Sequence, residues 1–380
     1  MSFRPFVLAL VALLSAVSVP AVGQTQPVPP ALAAKSWLLL EMSSGQTLTA
    51  EKPDERLEPA SLTKLMTAYL TFSALHKKTL NLDQPLPVSE KAWRTGGSKM
   101  FVKVDTQVPV EELIKGMIVQ SGNDACVVLA EAIAGSEENF AQLMNREAQR
   151  LGMSASSFRN STGLPDPEHY TTARDLAKLA AALIHDFPEE YRKYYSMKEY
   201  TYNGITQPNR NRLLFIDPTV DGVKTGHTEA AGYCLISSAK REQRRLLSVV
   251  LGTASDSARA SESHKLLNWG FLSFDSVMIQ PASQALADVR VWKGSQSTAK
   301  AGFADDLAIA LPKGYADKVS KEFVAEPRLI APIEAGQKLG TLKLAVDGKP
   351  FAEYPVIALE KVELGNIFVR ILDTIRLWFA

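Results

Sequence analysis

Three short motifs stand in order along this 380-residue chain: Ser61-Leu62-Thr63-Lys64, then Ser121-Gly122-Asn123, then Lys224-Thr225-Gly226. A serine hydroxyl is a poor nucleophile at neutral pH and needs a base beside it. A lysine amine can be that base when burial or nearby positive charge lowers its pKa. Ser61 and Lys64, three apart near the first turn of a helix, point off the same side, and Lys224 would bring a second cation toward Lys64. Ser121 can relay a proton between Lys64 and a leaving amine, while Asn123 can hold Lys64 or a substrate amide. Lys224 and Thr225 on a strand edge offer a cation and a hydroxyl to a substrate carboxylate. Gly226 lets a backbone approach closely, and the N–H groups of Ser61 and His227 are candidates to meet an oxyanion. Together these are the parts of an acyl-transfer enzyme that works without a histidine triad.

Order and spacing select the site. Ser-x-x-Lys also occurs at Ser237–Lys240 and Ser297–Lys300, as chance allows about once or twice in a chain this long. Ser-x-Asn and Lys-Thr-Gly each occur once, and only Ser61 lies upstream of both. His227 is a candidate site wall. His76, His169, His185 and His264 show no metal-ligand spacing, so neither metal nor cofactor is expected.

The elements that must hold these motifs follow from pattern. Ser36–Met42, a Ser-Ser-Gly turn and Gln46–Ala50 read as a hairpin. After Pro59 a helix begins with Leu62, Leu65, Met66, Tyr69 and Leu70 on one face. A polar loop covers about Lys77 to Val108, and Val110–Ala134 reads as helix, break and helix with Ser121-Gly122-Asn123 at the break. Phe140–Leu151 and Thr172–Ile184 are helical, and strands return after Tyr200. Val223–His227, Gly232–Ser238 and Arg245–Gly252 read as successive antiparallel strands, closed by a helix over Ser257–Leu272. Strands from both chain ends around a helical block make an α+β or three-layer unit.

From Pro281 short alternating runs appear (Asp288–Trp292, Leu307–Leu311, Thr341–Val346), and Asp347-Gly348 is a hairpin turn leading to Phe351–Tyr354. This reads as a small all-β domain with a spacing or docking role. In the last stretch Leu364, Ile367, Phe368, Ile371, Leu372 and Ile375 keep helical spacing, opposite Arg370, Asp373 and Arg376. With Trp378 and Phe379 at its end, this helix suits a membrane interface, being too short and charged to span. The competing reading packs it on the β domain.

At the other end, Arg4, the apolar Phe6–Val17 and Ala21-Val22-Gly23 read as a cleaved export signal, followed by a Pro- and Ala-rich tether. Cys126 and Cys234 lie in apolar segments and read as buried free thiols. A net charge of +1 with 22% charged residues lacks the basic excess of a nucleic-acid binder.

The segments Pro59–Lys64, Gln120–Cys126 and Val220–Thr228 resemble those of the low-molecular-mass penicillin-binding proteins, most closely the serine-type D-alanyl-D-alanine carboxypeptidases. The resemblance extends through Gln207–Arg210 and Lys265–Phe271 to the β domain and the C-terminal helix. It implies a penicillin-binding/β-lactamase-like transpeptidase fold, without cofactor, that removes the terminal D-alanine from peptidoglycan pentapeptide stems. Ser61 would form the acyl-enzyme, Lys64 act as base, and Ser121 and Asn123 relay and position. Lys224, Thr225, Gly226 and His227 would form the substrate-binding strand, with Arg210 and Arg259 near the substrate carboxylate. Penicillins would acylate the same serine.

The organisation so implied is a signal at 1–23, a linker at 24–34, a catalytic domain at 35–275, a β-rich domain at 281–360 and a membrane-associating helix at 361–380. The expected location is periplasmic, on the outer face of the inner membrane. Gly122 argues against a class A β-lactamase, which carries Ser-Asp-Asn and a deacylating glutamate. A crosslink endopeptidase, a weak β-lactamase activity and a non-catalytic wall-binding scaffold are the remaining alternatives.

Overall fold

The computed structural model describes residues 27–282 and 284–378. The export signal expected over 1–23 lies outside the described residues. The chain divides into one unit over Val28–Phe274 and a second from Asp275 onward.

The first unit opens with the expected hairpin, β1 (Ser36–Glu41) and β2 (Thr47–Glu51). A 3-10 turn at Ala60–Thr63 then runs into α1 (Lys64–His76). The one-faced helix expected here is instead buried on nearly all sides: Leu65, Met66, Ala68, Tyr69 and Phe72 are all inside. Its polar residues survive burial because they are bonded, Thr67 Oγ1 donating to Ser161 O (2.6 Å) and Thr71 Oγ1 to Thr67 O (2.8 Å).

The polar loop expected over 77–108 contains β3 (Pro85–Pro87), α2 (Glu90–Arg94) and β4 (Gln107–Pro109). These are too short for a period to register, but Ser89 caps α2 at Ala92 N (3.0 Å) and Leu86, Val88, Ala92 and Val108 are buried. Next come α3 (Val110–Val119), α4 (Asn123–Ala134), α5 (Glu137–Arg150) and α6 (Ala173–Asp186). Ser136 and Thr172 cap the last two. Unforeseen in the pattern, α7 (Pro188–Tyr194) starts on Pro188 and buries Tyr191 and Tyr194.

A hairpin, β5 (Glu199–Tyr202) and β6 (Ile205–Pro208), and the short α8 (Leu213–Ile216) lead to β7 (Val220–Thr228), β8 (Gly232–Arg241) and β9 (Arg244–Thr253). Ser255 caps the closing helix α9 (Asp256–Ser273). The sheet order is β2-β1-β9-β8-β7, all antiparallel, so β1 pairs with a strand some two hundred residues later, Trp37 opposite Val250. Alternation then sorts two cores. Leu38, Ile236 and Val249 face the helical block of α1, α3, α4 and α6, whereas Trp37, Leu39, Leu235 and Val250 face Leu266, Leu267 and Phe271 of α9. Three layers result, as expected. Residues 28–34, within the expected tether, are held: Trp269 Nε1 donates to Val28 O (2.8 Å) and Lys265 Nζ to Ala31 O (3.2 Å).

The second unit is the expected all-β fold. It contains β10 (Phe274–Gln280), β11 (Ala287–Trp292), β12 (Thr298–Gly302), β13 (Leu307–Pro312), β14 (Val319–Ala325), β15 (Leu329–Ile330), β16 (Lys338–Val346) and β17 (Lys349–Ala358). Six strands form one sheet, β14-β16-β17-β12-β11-β15, and β10 pairs with β13. Asp347 and Gly348 both take positive φ (53° and 74°) between β16 and β17, the tight turn that their types announce. The chain then forms α10 (Ile367–Arg376), capped by Asn366.

Candidate active site

Ser61 sits in the 3-10 turn that delivers the chain into α1. Leu62 and Leu65 are fully buried and pull the turn inward, carrying Lys64 to 1% exposure. Lys64 Nζ lies 2.9 Å from Ser61 Oγ and donates to Thr162 O at 2.6 Å. Burial pushes the Lys64 amine down to about 8; Arg210 pushes the same way, while Cys126 and Asp124 oppose it. Of the two effects expected here, burial and a nearby cation, desolvation is the larger. Thr162 contributes through its backbone carbonyl, which no side-chain pattern could signal.

At the break between α3 and α4, Ser121 takes positive φ (59°), and Lys224 Nζ donates to Ser121 Oγ at 3.0 Å and to Thr225 O at 3.1 Å. Lys224 is also buried, and desolvation, then Lys64, Arg210 and Arg259, hold its pKa well below the usual value. Asn123 Nδ2 donates to Gly96 O (2.7 Å), because the loop at 95–99 packs on the start of α4 and Asn123 N reaches Ser98 O (2.7 Å). Its Oδ1 is buried with no partner among the described residues.

Asp124, absent from the expected set, organises this loop. Its carboxylate accepts from the backbone N–H of Met100 (2.9 Å), Phe101 (2.8 Å) and Val102 (3.2 Å). A β-carbon at Gly122 would stand 2.8 Å from Asp124 Oδ1 and 3.1 Å from Met100 N. The glycine of the second motif is therefore required by this loop anchor. The only signal available was an acidic residue in the first turn of a helix, which reads equally as a dipole partner.

The third motif lies on β7, the edge of the sheet beside the turn. The backbone that approaches Gly226 is the protein's own: a β-carbon there would meet Pro59 O at 3.1 Å and Leu62 Cγ at 3.2 Å. Arg259, 6% exposed, donates to Gly226 O (3.0 Å) and pairs with Asp256. It thus braces the strand, while its charge stays close to the cleft. Arg210 lines the same cleft with neither hydrogen bond nor ion pair among the described residues. Ser61, Ser121, Thr225, Gly226 and His227 line it too, in a space of about 480 Å³. His227 lies against Tyr233 with ring centroids 4.0 Å apart. Tyr233, Ser98, Arg212, Asn209 and Asp256 also line it and were not foreseen as site residues, since loop and sheet closure alone bring them there.

The two decoys cannot act alike. Ser237 and Lys240 are three apart on strand β8, so their side chains point to opposite faces: Ser237 is buried and Lys240 exposed. Lys300, on β12, pairs with Glu360 at 3.5 Å. Both cysteines are buried with free thiols. Among the described residues no acidic, histidine or cysteine cluster could hold a metal ion.

Comparison with known proteins agrees over nearly the whole chain. The family model described as D-alanyl-D-alanine carboxypeptidase matches residues 23–255, and that of the penicillin-binding protein 5 C-terminal domain matches 274–364. The D-alanyl-D-alanine carboxypeptidase DacC of Escherichia coli (strain K12) is 42% identical, covering 92% of this chain and 89% of that protein. The structure of penicillin binding protein 5 from Haemophilus influenzae matches with TM-score 0.85 at 40% identity, over 89% of this chain and 99% of the other. Penicillin-binding protein D2 from Listeria monocytogenes in its ampicillin-bound form matches with TM-score 0.59 at 31% identity, over 63% and 98%. With a buried amine against Ser61 and the Escherichia coli and Haemophilus influenzae relatives spanning both units, the chain belongs to the D-alanyl-D-alanine carboxypeptidase family.

Proposed function

We propose that this serine D-alanyl-D-alanine carboxypeptidase uses Ser61 as nucleophile and Lys64 as its base to release the terminal D-alanine of peptidoglycan pentapeptide stems. The observation that carries the assignment is Lys64 Nζ, buried and depressed to about 8, at 2.9 Å from Ser61 Oγ. Neutral Lys64 takes the hydroxyl proton as Oγ bonds to the carbonyl carbon of the penultimate D-alanine. N–H groups of Ser61 and His227 at the cleft meet the oxyanion. The C–N bond breaks as the leaving D-alanine amine takes a proton through Ser121, which Lys224 holds at 3.0 Å. Water then attacks the ester and frees Ser61.

A terminal carboxylate suits this cleft. Thr225 lines it, and Arg210, whose guanidinium has no ion-pair partner among the described residues, and Arg259 place positive charge in its wall. That favours a free C-terminus over an internal crosslink. Ampicillin bound by the Listeria relative supports acylation of this serine by β-lactams as well. Mass spectrometry after benzylpenicillin treatment should find one adduct, on the Ser61 peptide, and none in Ser61→Ala. D-alanine release from a pentapeptide should exceed cleavage of crosslinked dimers. An adduct on Ser237 or Ser297, or faster dimer cleavage, would overturn the assignment, and rapid turnover of the penicillin would favour a β-lactamase.

We further propose export to the periplasm and attachment to the outer face of the inner membrane through α10. Phe368 (79% exposed), Ile371, Leu372, Ile375 and Trp378 (77%) present an uncovered apolar face. The helix holds to its own unit by the polar side: Asp373 is buried and accepts from Lys293 N at 2.7 Å. No described helix is long and apolar enough to cross a membrane. Loss of vesicle binding on deleting 361–380 would support attachment, and unchanged binding would refute it.

A further inference from the structure

One buried histidine touches the nucleophile turn and has no part in the chemistry above. His169, 2% exposed, lies 3.0 Å through Nε2 from Thr63 Oγ1, and Thr63 is fully buried between Ser61 and Lys64. Its ring meets Phe158 edge-on at 5.7 Å, its backbone N–H donates to Asp166 O (2.9 Å), and ring Nδ1 is buried with no partner among the described residues. Burying an imidazole with only one of its nitrogens bonded carries the desolvation cost of the other.

The segment carrying His169 wraps the underside of that turn. Thr171 and Leu57 exchange backbone hydrogen bonds at one end (2.9 Å each). At the other, Asn160 Oδ1 accepts from Thr162 N (3.2 Å) and Gly163 N (2.7 Å). This aims Thr162 O at Lys64 Nζ, while Ser161 O takes the Thr67 hydroxyl. Gly163 is pressed so closely that a β-carbon would stand 1.7 Å from Ala60 O and 2.9 Å from Thr63 Oγ1. The strap thus touches the turn at Ala60, Thr63, Lys64 and Thr67, and among the described residues the one side-chain to side-chain bond between strap and turn is His169–Thr63.

We infer that His169 is a positioning residue for acyl transfer: through Thr63 it locks the 160–171 strap to the nucleophile turn, keeping Lys64 buried against Thr162 O and Ser61. The inference rests on Lys64 being the base. His169 is itself neutral at working pH, since burial pushes it down to about 4, with Arg159 and Lys64 acting the same way and Asp166 opposing. The other groups whose charge couples to Lys64 are Cys126, Asp124, Arg210 and Lys224, which the histidine substitution leaves in place, and His169 itself carries no charge there to remove. Releasing the strap lets water reach Lys64, so its pKa should move back toward the usual lysine value.

The test is the pH dependence of β-lactam acylation, followed by stopped-flow in the full chain. In His169→Ala the half-maximal pH should rise by a half unit or more. Acylation at pH 7 should fall roughly threefold or more and recover by pH 10. Thr63→Val keeps the volume and removes the bond from the other side, so it should give the same shift, and the double variant should be no worse than either single one. His169→Gln, able to bond Thr63, should restore the profile. A merely structural role would lower the amount of titratable active site and leave the half-maximal pH in place. An unmoved midpoint in both Thr63→Val and His169→Ala, or losses that add, would overturn the inference. A wild-type profile with no midpoint near 8 would instead overturn Lys64 as base.

Discussion

The rate at which Ser61 is acylated should follow the neutral fraction of Lys64. With its amine at about 8, that fraction is about one tenth at pH 7 and about nine tenths at pH 9, so the second-order acylation rate should climb roughly tenfold across this interval. An ordinary lysine near 10.5 would leave roughly 300-fold less neutral amine than this at pH 7 and would keep rising past pH 10. Acylation by nitrocefin measures the limb directly, because its carboxylate stays ionised throughout. Arg210 is one of the charges that push Lys64 down, so Arg210→Ala should shift the midpoint to higher pH whatever it does to binding. Lys64→Arg, which cannot be neutral, should abolish acylation at every pH. Lys224 shares the buried site and titrates with Lys64 as a pair. A flat wild-type profile, or a midpoint above 10, would refute the argument that burial makes Lys64 the base.

Other expectations follow from neighbouring groups. Unfolded His169 binds a proton near 6.5, whereas the folded ring, held down by burial, does so only near 4. Protonation therefore favours the unfolded chain, and stability should fall as pH drops from 6.5 to 4 by about 3 kcal/mol; urea unfolding at both pH values checks this, and His169→Gln should flatten the slope. Gly122→Ala forces a β-carbon against Asp124 Oδ1 and Met100 N, which should cost about 1–3 kcal/mol and loosen the loop at 98–102, read by calorimetry and protease nicking. Cys126 and Cys234 are buried, their thiols pushed by desolvation up to about 12 and about 11. A chromogenic disulfide should therefore count no reactive thiol in the folded protein and both in denaturant.

Much of the molecule was legible in its sequence because its signals are local. Motif order separated Ser61 from Ser237 and Ser297, and the strand period explains why Ser237 and Lys240 cannot meet. Alternating apolar runs and the Asp347-Gly348 turn announced the β unit, and the break at Ser121-Gly122 announced the α3–α4 junction. Less local features did not register. The period after Pro59 read as one apolar face, yet α1 is central and buried on nearly all sides, because whether a polar threonine is exposed depends on which carbonyl lies across from it. The segment at 28–34 read as a tether since nothing in its composition names Trp269 and Lys265 as its holders.

By itself the amino-acid sequence determined the chemical inventory: two serine hydroxyls and two amines, with the elements each sits on. Residue type and short-range spacing carry that information. Only the tertiary structure decided their energies and partners. Lys64 loses its solvent to the helical block and gains Thr162 O; Asp124 ties down the loop that claims Asn123; Arg259 braces the backbone of Gly226. Desolvation and backbone acceptors depend on what the fold brings from a hundred residues away, and no spacing rule within the chain encodes them.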